Sequence, residues 1–265
     1  MTTLLQFSSG RSAWVEVTDA PVHAWLLIHG WGMNPGLFHS LAIQLSQHRP
    51  CYALELPGHG LTPPTHQTFD QLVGQLVQQL QSLSVERLYL VGWSMGGLLA
   101  TALASRLSQI QNLILITNTP RFLEAEGWLG MPRQRAEKFT QEMLVDPTVT
   151  IQRFLALQFF QESNARELTR QAMNWLRVRG LPSREGLQMG INWLFDQDHR
   201  ITLSHLTQSV LAVFARRDTL INYRSMQQIN ALNPQIRSLL LPTGHVPFFM
   251  HPEAFAHQLI SFVNA

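Results

Sequence analysis

Gly92-Trp93-Ser94-Met95-Gly96 decides the fold. The pentapeptide has the form G-x-S-x-G, and its flanks give it meaning. Arg87-Leu88-Tyr89-Leu90-Val91 before it is an apolar run of β type, and Gly97-Leu98-Leu99-Ala100-Thr101-Ala102-Leu103-Ala104 after it is a helix-forming run. A serine at a sharp strand-to-helix turn is lifted clear of the backbone, with its hydroxyl open to a substrate. Glycines beside it let the chain bend that tightly. The setting predicts a nucleophile elbow. The pentapeptide alone would fit equally well a small-residue turn in any α/β protein.

Working outward, strands and helices alternate. Residues 4–7 and 13–17 read as two short strands. Ala24-Trp25-Leu26-Leu27-Ile28 is a buried strand that runs into His29-Gly30-Trp31-Gly32, with a helix expected over about 36–47. The strand that starts at Cys51 ends in Pro57-Gly58-His59-Gly60, a turn-forming cluster. Residues 69–83 carry Leu72, Val73, Leu76, Val77 and Leu80 at helical spacing. Asn112-Leu113-Ile114-Leu115-Ile116-Thr117 is a further buried strand. Such alternation implies a mainly parallel sheet with helices on both faces.

The rhythm breaks after Thr119-Pro120. Residues 121–200 show helical patterns, no clear strand and many large apolar groups, among them Phe154, Phe159, Trp175 and Trp193. Strand patterns resume at 210–214 and 236–241, and a helix over about 253–263 closes the chain. The expected organisation is a core of residues 1–120 and 201–265 with a helical cap, 121–200, inserted into it.

Composition excludes several classes. With 265 residues, 45% of them hydrophobic and 14% charged, the chain can bury a large core and is not disordered. A net charge of +2 is too small for an ordinary nucleic-acid-binding footprint. No run of 18 apolar residues offers a membrane span, and the first residues lack a basic segment followed by an apolar one, so a cytoplasmic protein is expected. Cys51 is the only cysteine, so no internal disulfide can form. No His, Cys and acid cluster has metal-ligand spacing, and neither metal nor cofactor is expected.

Serine is a weak nucleophile at neutral pH and needs a base, usually a histidine oriented by a buried carboxylate. On this kind of scaffold the chain order is Ser, then Asp or Glu, then His. His245, in Thr243-Gly244-His245-Val246-Pro247, follows the last strand pattern, and Asp218 follows the one before it. Both lie where parallel sheets place their ligands, beyond the carboxyl ends of strands. Asp196 and Asp198 are rivals at the end of the cap, while His251 and His257 read as surface residues. Two backbone N–H groups should hold the oxyanion: that of Met95, after the nucleophile, and that of Trp31, in the early strand-to-helix loop. His29 and His59 read as supports for the loop and the turn that contain them.

These motifs carry a specific resemblance. His29-Gly30-Trp31-Gly32, Gly92-Trp93-Ser94-Met95-Gly96-Gly97 and above all Arg153-Phe154-Leu155-Ala156-Leu157-Gln158 are similar to segments of the pimeloyl-[acyl-carrier protein] methyl ester esterase family. Gly190-Ile191-Asn192-Trp193-Leu194 and Gly244-His245-Val246-Pro247-Phe248 are similar too, so the resemblance covers nearly the whole chain. It implies an α/β-hydrolase fold with a helical cap, and cleavage of a methyl ester to release methanol in biotin biosynthesis. It implies the same triad, Ser94, Asp218 and His245, with substrate contacts at Trp31, Ser94, Met95, His245, Phe154, Leu155, Ala156, Leu157 and Gln158.

The resemblance further implies that the partner is an acyl-carrier protein, held by Arg153, Arg166 and Arg170; one basic position of the family pattern is Val149 here, and Arg177, Arg179 or Arg184 could compensate. Charge counting points the same way. Between Val149 and Arg184 six arginines stand against Glu162 and Glu167, although a solvated helix face would also read so. A monomer is expected. The alternatives are a broad carboxylesterase on small free esters, a C–C bond hydrolase or lyase of the same fold, and a non-catalytic binding module.

Overall fold

The computed structural model describes residues 3–8, 13–16, 23–83 and 85–265. Within them, eight strands form one sheet: β1 (Thr3–Ser8), β2 (Ala13–Glu16), β3 (His23–Ile28), β4 (Cys51–Glu55), β5 (Arg87–Trp93), β6 (Ile110–Ile116), β7 (Ser209–Ala215) and β8 (Arg237–Leu241), in the order β2-β1-β4-β3-β5-β6-β7-β8. β1 runs antiparallel to both neighbours, and every pair from β4 to β8 is parallel. Strands covered on both faces need apolar residues at every position, not at every second one. This is why β3 and β5 read as continuous runs: residues 24–28 and 88–93 are buried.

The expected α/β-hydrolase architecture is present. The helix expected over 36–47 is a 3-10 turn, Pro35–Phe38, followed by α1 (His39–Ser46). Asn34 caps the start of the turn, its side-chain oxygen accepting from Gly36 N–H at 2.9 Å. Val17, expected to end β2, lies outside the described residues. α2 (Phe69–Gln81) opens with a capping box between Thr68 and Gln71. Then come α3 (Gly96–Ala104) after β5, and five helices between β6 and β7: α4 (Arg133–Val145), α5 (Pro147–Gln158), α6 (Ala165–Arg179), α7 (Arg184–Asp196) and α8 (Arg200–Ser204). α9 (Ser225–Leu232), α10 (Pro247–Met250) and α11 (Pro252–Val263) complete the chain. No helix among the described residues is long and apolar enough to cross a membrane.

Two groups of contacts help to fasten the helical segment to the sheet domain. At its neck, His199 N–H donates to Pro120 O at 2.8 Å and Arg121 pairs with Asp198 at 2.9 Å. Asp198 also binds Arg200, whose hydrogen bond is the main reason its carboxyl is held down to about 2. Asp198 is therefore a neck residue and no rival for the catalytic acid. At the far side, Asn34 Nδ2 donates to Leu176 O and Gly180 O, Ser183 N–H donates to Gly58 O, and Arg179 forms a two-bond pair with Glu55 at 2.6 and 3.0 Å. Glu55, fully buried, also accepts from Leu61 N–H and Thr62 Oγ1. A carboxylate at the end of an apolar strand is tolerable only because all these donors converge on it. Arg179 thus turns inward and is removed from the surface charges. Gly58 and Gly186 touch backbone to backbone, and a side chain on either would collide with the other.

Candidate active site

Ser94 lies between the end of β5 and the start of α3 with φ at +53°, in the left-handed region that costs an ordinary residue strain. Close packing holds it there. Ser94 N–H donates to Ile116 O at 2.9 Å, and its carbonyl accepts from Gly97 N–H and Asn118 Nδ2 at 2.9 and 2.8 Å. A Cβ on Gly92 would stand 2.6 Å from Gly97 Cα and 2.7 Å from Ala100 Cβ. The flanking glycine is thus required by contact between strand and helix.

Asp218 and His245 follow β7 and β8, and the fold brings them together. His245 Nδ1 donates to Asp218 Oδ2 at 2.8 Å, with the two side chains 2% and 1% exposed. The other carboxylate oxygen accepts from Leu220 N–H at 2.8 Å and Ile221 N–H at 3.1 Å. This bonding assigns the proton to Nδ1 and leaves Nε2 as the basic atom. Nε2 is buried and has no hydrogen-bond partner among the described residues. The backbone of His245 is held from three directions. Its carbonyl accepts from Trp93 Nε1 at 3.1 Å and Thr117 Oγ1 at 2.9 Å, and its N–H donates to Gln158 O at 3.0 Å. Trp93 adjoins Ser94, so the base loop is tied to the elbow itself.

The two expected oxyanion donors, the N–H groups of Trp31 and Met95, have no partner among the described residues. His29 and His59, read from the sequence as local supports, brace the Trp31 loop. His59 Nε2 accepts from Gly32 N–H at 3.2 Å, and His29 Nε2 from Leu56 N–H at 3.1 Å. Trp31 is itself fixed, its indole N–H donating to Leu187 O at 2.8 Å.

An apolar cavity opens on Ser94, walled by Trp31, Phe139, Phe154, Leu157, Leu194 and Phe195. Phe139 and Phe154 meet Trp31 edge-on, with ring centres 5.2 and 4.9 Å away. The run 154–158 divides by helix geometry. Phe154 and Leu157, three residues apart, share the face toward the cavity. Leu155 is fully buried in the core behind it, and Ala156 is exposed on the outer face. Gln158 is buried too, but its carbonyl serves the His245 loop. Leu155, Ala156 and Gln158 thus stand outside the cavity wall. Sequence reading missed Arg135, the one charged residue on that wall, and Leu220 and Ile221, which line it just past Asp218. It also missed Glu162, which binds both Arg217 and Gly244 N–H at 2.6 Å.

Of the arginines expected to hold a carrier protein, Arg153 and Arg166 are exposed and have no ion pair among the described residues. Arg170 is held by Glu167 one turn away, at 2.8 Å from its Nε. Their bond keeps the Glu167 carboxyl down at about 2. Arg179 and Glu162 both turn inward, which removes one charge of each sign and leaves the surface balance as counted. Val149 is exposed on α5, an apolar group where the family pattern has a basic one. Cys51 is buried, and burial pushes its thiol pKa up. Among the described residues no group of His, Cys, Asp and Glu could hold a metal ion.

Known proteins resemble this chain at two levels. A family model described as alpha/beta hydrolase fold matches residues 25–252. A protein of Aeromonas salmonicida (strain A449) named pimeloyl-[acyl-carrier protein] methyl ester esterase is 33% identical over 241 residues, covering 90% of this chain and 94% of its own. One of the same name from Vibrio vulnificus (strain YJ016) is 30% identical, with coverage of 90% and 93%. Among solved structures, an esterase from Exiguobacterium antarcticum superimposes with a TM-score of 0.84 over the full length of both chains at 21% identity. A bromoperoxidase from Bacillus anthracis superimposes with a TM-score of 0.83 at 18% identity. The last two speak for the fold alone.

Proposed function

The chain belongs to the α/β-hydrolase-fold family and, within it, to the pimeloyl-[acyl-carrier protein] methyl ester esterases, and from that premise we propose that it hydrolyses the methyl ester of pimeloyl-[acyl-carrier protein] through a Ser94–His245–Asp218 triad. It is a carboxylic ester hydrolase, and in this reading it serves biotin biosynthesis as a cytoplasmic monomer. Residues 121–200 form the cap over a core of 1–120 and 201–265. The observation that carries the reading is the 2.8 Å Asp218–His245 pair, anchored through Trp93 to the Ser94 elbow.

The chemistry follows from the geometry. His245 Nε2 takes the proton of the Ser94 hydroxyl as the oxygen attacks the ester carbonyl. Asp218 stabilises the imidazolium that forms and holds the tautomer. The negative oxygen of the tetrahedral intermediate accepts from the N–H groups of Trp31 and Met95; each such donor contributes on the order of 10²–10³ in rate. The imidazolium then protonates the leaving methoxide, methanol departs, and an acyl-Ser94 ester remains. Water, deprotonated by His245, hydrolyses it by the same route in reverse.

Specificity resides in the cap. The methylene chain lies along Phe154 and Leu157 in the aromatic cavity, with the ester at Ser94. The carrier protein, which is acidic in this reading, meets the exposed Arg153 and Arg166 first, with Arg170 beside them. Long-range charge speeds such an encounter and orients it. The deciding experiment is rescue of a biotin-requiring bacterium that lacks its own esterase, beside turnover of carrier-bound and free methyl esters. Rescue by the wild type and none by Ser94→Ala is expected. Preference for the free ester with no rescue would make the protein a general carboxylesterase.

A further inference from the structure

Glu162 is an acid that the triad does not use, yet its side chain is only 2% exposed. It lies in the link between α5 and α6. Buried carboxylates persist only where donors compensate for lost water. Here the donors come from the two catalytic loops. Oε2 accepts from Arg217 Nη2 at 2.6 Å, and Oε1 accepts from Gly244 N–H at 2.6 Å. Arg217 immediately precedes Asp218, and Gly244 immediately precedes His245. One carboxylate therefore grips the acid loop and the base loop, each one residue before its triad member.

Neighbouring bonds join in. Arg217 N–H donates to Thr243 O at 2.9 Å, tying the two loops directly, and His245 N–H donates to Gln158 O at the end of α5. A Cβ on Gly244 would stand 2.7 Å from that same Gln158 carbonyl, so the base loop runs in backbone contact with the cap. A carboxylate that merely fastened the cap could bind any core residue. This one binds the two positions that set how far Asp218 stands from His245.

We propose that Glu162 is a positioning residue, a clamp that fixes the spacing of the Asp218 and His245 loops from the cap. The proposal rests on the triad reading above. A triad must be held to within about 0.5 Å, and misplacement by about 1 Å can cost about 10²-fold in rate. Loosening the clamp should therefore lower kcat and leave binding of a small ester alone.

The test uses the full-length protein and a small free ester, with folding checked by circular dichroism and thermal melting. Glu162→Ala is expected to lose roughly 10- to 100-fold in kcat with KM within about twofold. Glu162→Gln keeps an acceptor for Gly244 N–H and should recover much of that loss in kcat, whereas a residue that only fastened the cap would lower the melting temperature and leave kcat of the folded protein unmoved. Arg217→Gln, at a side chain 35% exposed, is the gentler variant and should lose kcat at unchanged KM even if Glu162→Ala fails to fold. If both folded variants keep kcat within about twofold of wild type, or if Gln is no better than Ala, the clamp is overturned. Ser94→Ala separates the two readings. Residual turnover there defeats the triad itself, whereas a dead Ser94→Ala beside normal clamp variants defeats only this inference.

Discussion

His29 and His59 brace each other's segments crosswise. Their ring centres are 5.1 Å apart, and each Nε2 accepts a backbone N–H from the other's neighbourhood: His29 from Leu56, His59 from Gly32. Each Nδ1 faces a nearby carbonyl, Gly30 O and Pro57 O, at 2.9 Å. All four ring nitrogens are engaged, in an arrangement that only neutral imidazoles satisfy. Burial lowers both pKa values, that of His59 to about 4, and the nearby His59 lowers His29 further. A proton added to His59 Nε2 would displace Gly32 N–H and release the loop that carries Trp31.

Stability should therefore fall as pH falls from about 6.5 toward about 4. In that window the unfolded chain binds protons at these histidines and the folded chain does not, so the slope favours higher pH, by about 1.4 kcal/mol per pH unit for each such site. His39, His48 and His199 are lowered by burial and add in the same sense. Asp198 and Glu167, both held near 2, add their own loss only below the ordinary carboxylate range. Urea midpoints near pH 7 and near pH 5 measure the effect. The slope of His59→Gln should be shallower than that of wild type, and equal slopes would contradict the account.

Gly190 should be intolerant for a catalytic reason. A Cβ there would stand 2.5 Å from Trp31 Cδ1 and 2.9 Å from Met95 Sδ, the side chains of both proposed oxyanion donors. The Met95 sulfur can swing away. The Trp31 ring, held by Leu187 and edge-on to Phe139 and Phe154, cannot. Gly190→Ala is expected to lower kcat by roughly 10- to 100-fold, with KM for a small ester changed far less. Steady-state kinetics decides, and an unchanged kcat refutes it.

Charge reversal should divide the arginines. Arg153→Glu and Arg166→Glu are expected to raise KM for the carrier-bound ester severalfold, more at low salt than at high, and to spare a small free ester. Arg170→Ala should have a smaller effect, because Glu167 already holds that guanidinium. Equal losses on both substrates would mean that these residues do not act through docking.

Arg179→Met should destabilise the protein by about 3–5 kcal/mol, since it leaves the fully buried Glu55 carboxylate without its partner. Pairing it with Glu55→Gln should restore part of the loss. Chemical denaturation of both variants measures the difference.

How far the sequence could be read depended on whether function left a local mark. The places of Ser94, Asp218 and His245 after β5, β7 and β8 were legible, because a parallel sheet gathers such positions at one edge. The apolar runs of β3 and β5 were legible for the same reason that they are central. Glu162 and Arg217 are 55 residues apart and share no periodic pattern, so nothing in the chain announced their pairing. Arg179 looked like its surface neighbours, and its inward turn depends on Glu55, a lone acid at the end of an apolar strand. The run 154–158 resembles the family as one block, whereas a helix shows only one side of itself to any partner, and Leu155 and Ala156 lie on other sides. His59 read as turn support because its tie to Gly32 spans two separate loops.

The helical segment is tied to the sheet domain along its α6–α7 margin, at its neck and through Glu162. Asn34, Arg179 and Ser183 fasten the α6–α7 side to the sheet domain. α4 packs on α5 and presents Arg135, Ala136, Phe139 and Thr140 to the cavity. Gln158 and Glu162, at the end of α5 and just past it, hold the Asp218 and His245 loops, whereas side chains of α4 face the cavity. Exchanges at Ala136 or Thr140 would therefore reshape the cavity wall without removing a hydrogen bond to those loops, whereas Phe139 packs on Trp31 and is not free to change. Cavity shape and loop geometry are thus carried by different side chains of one helical segment.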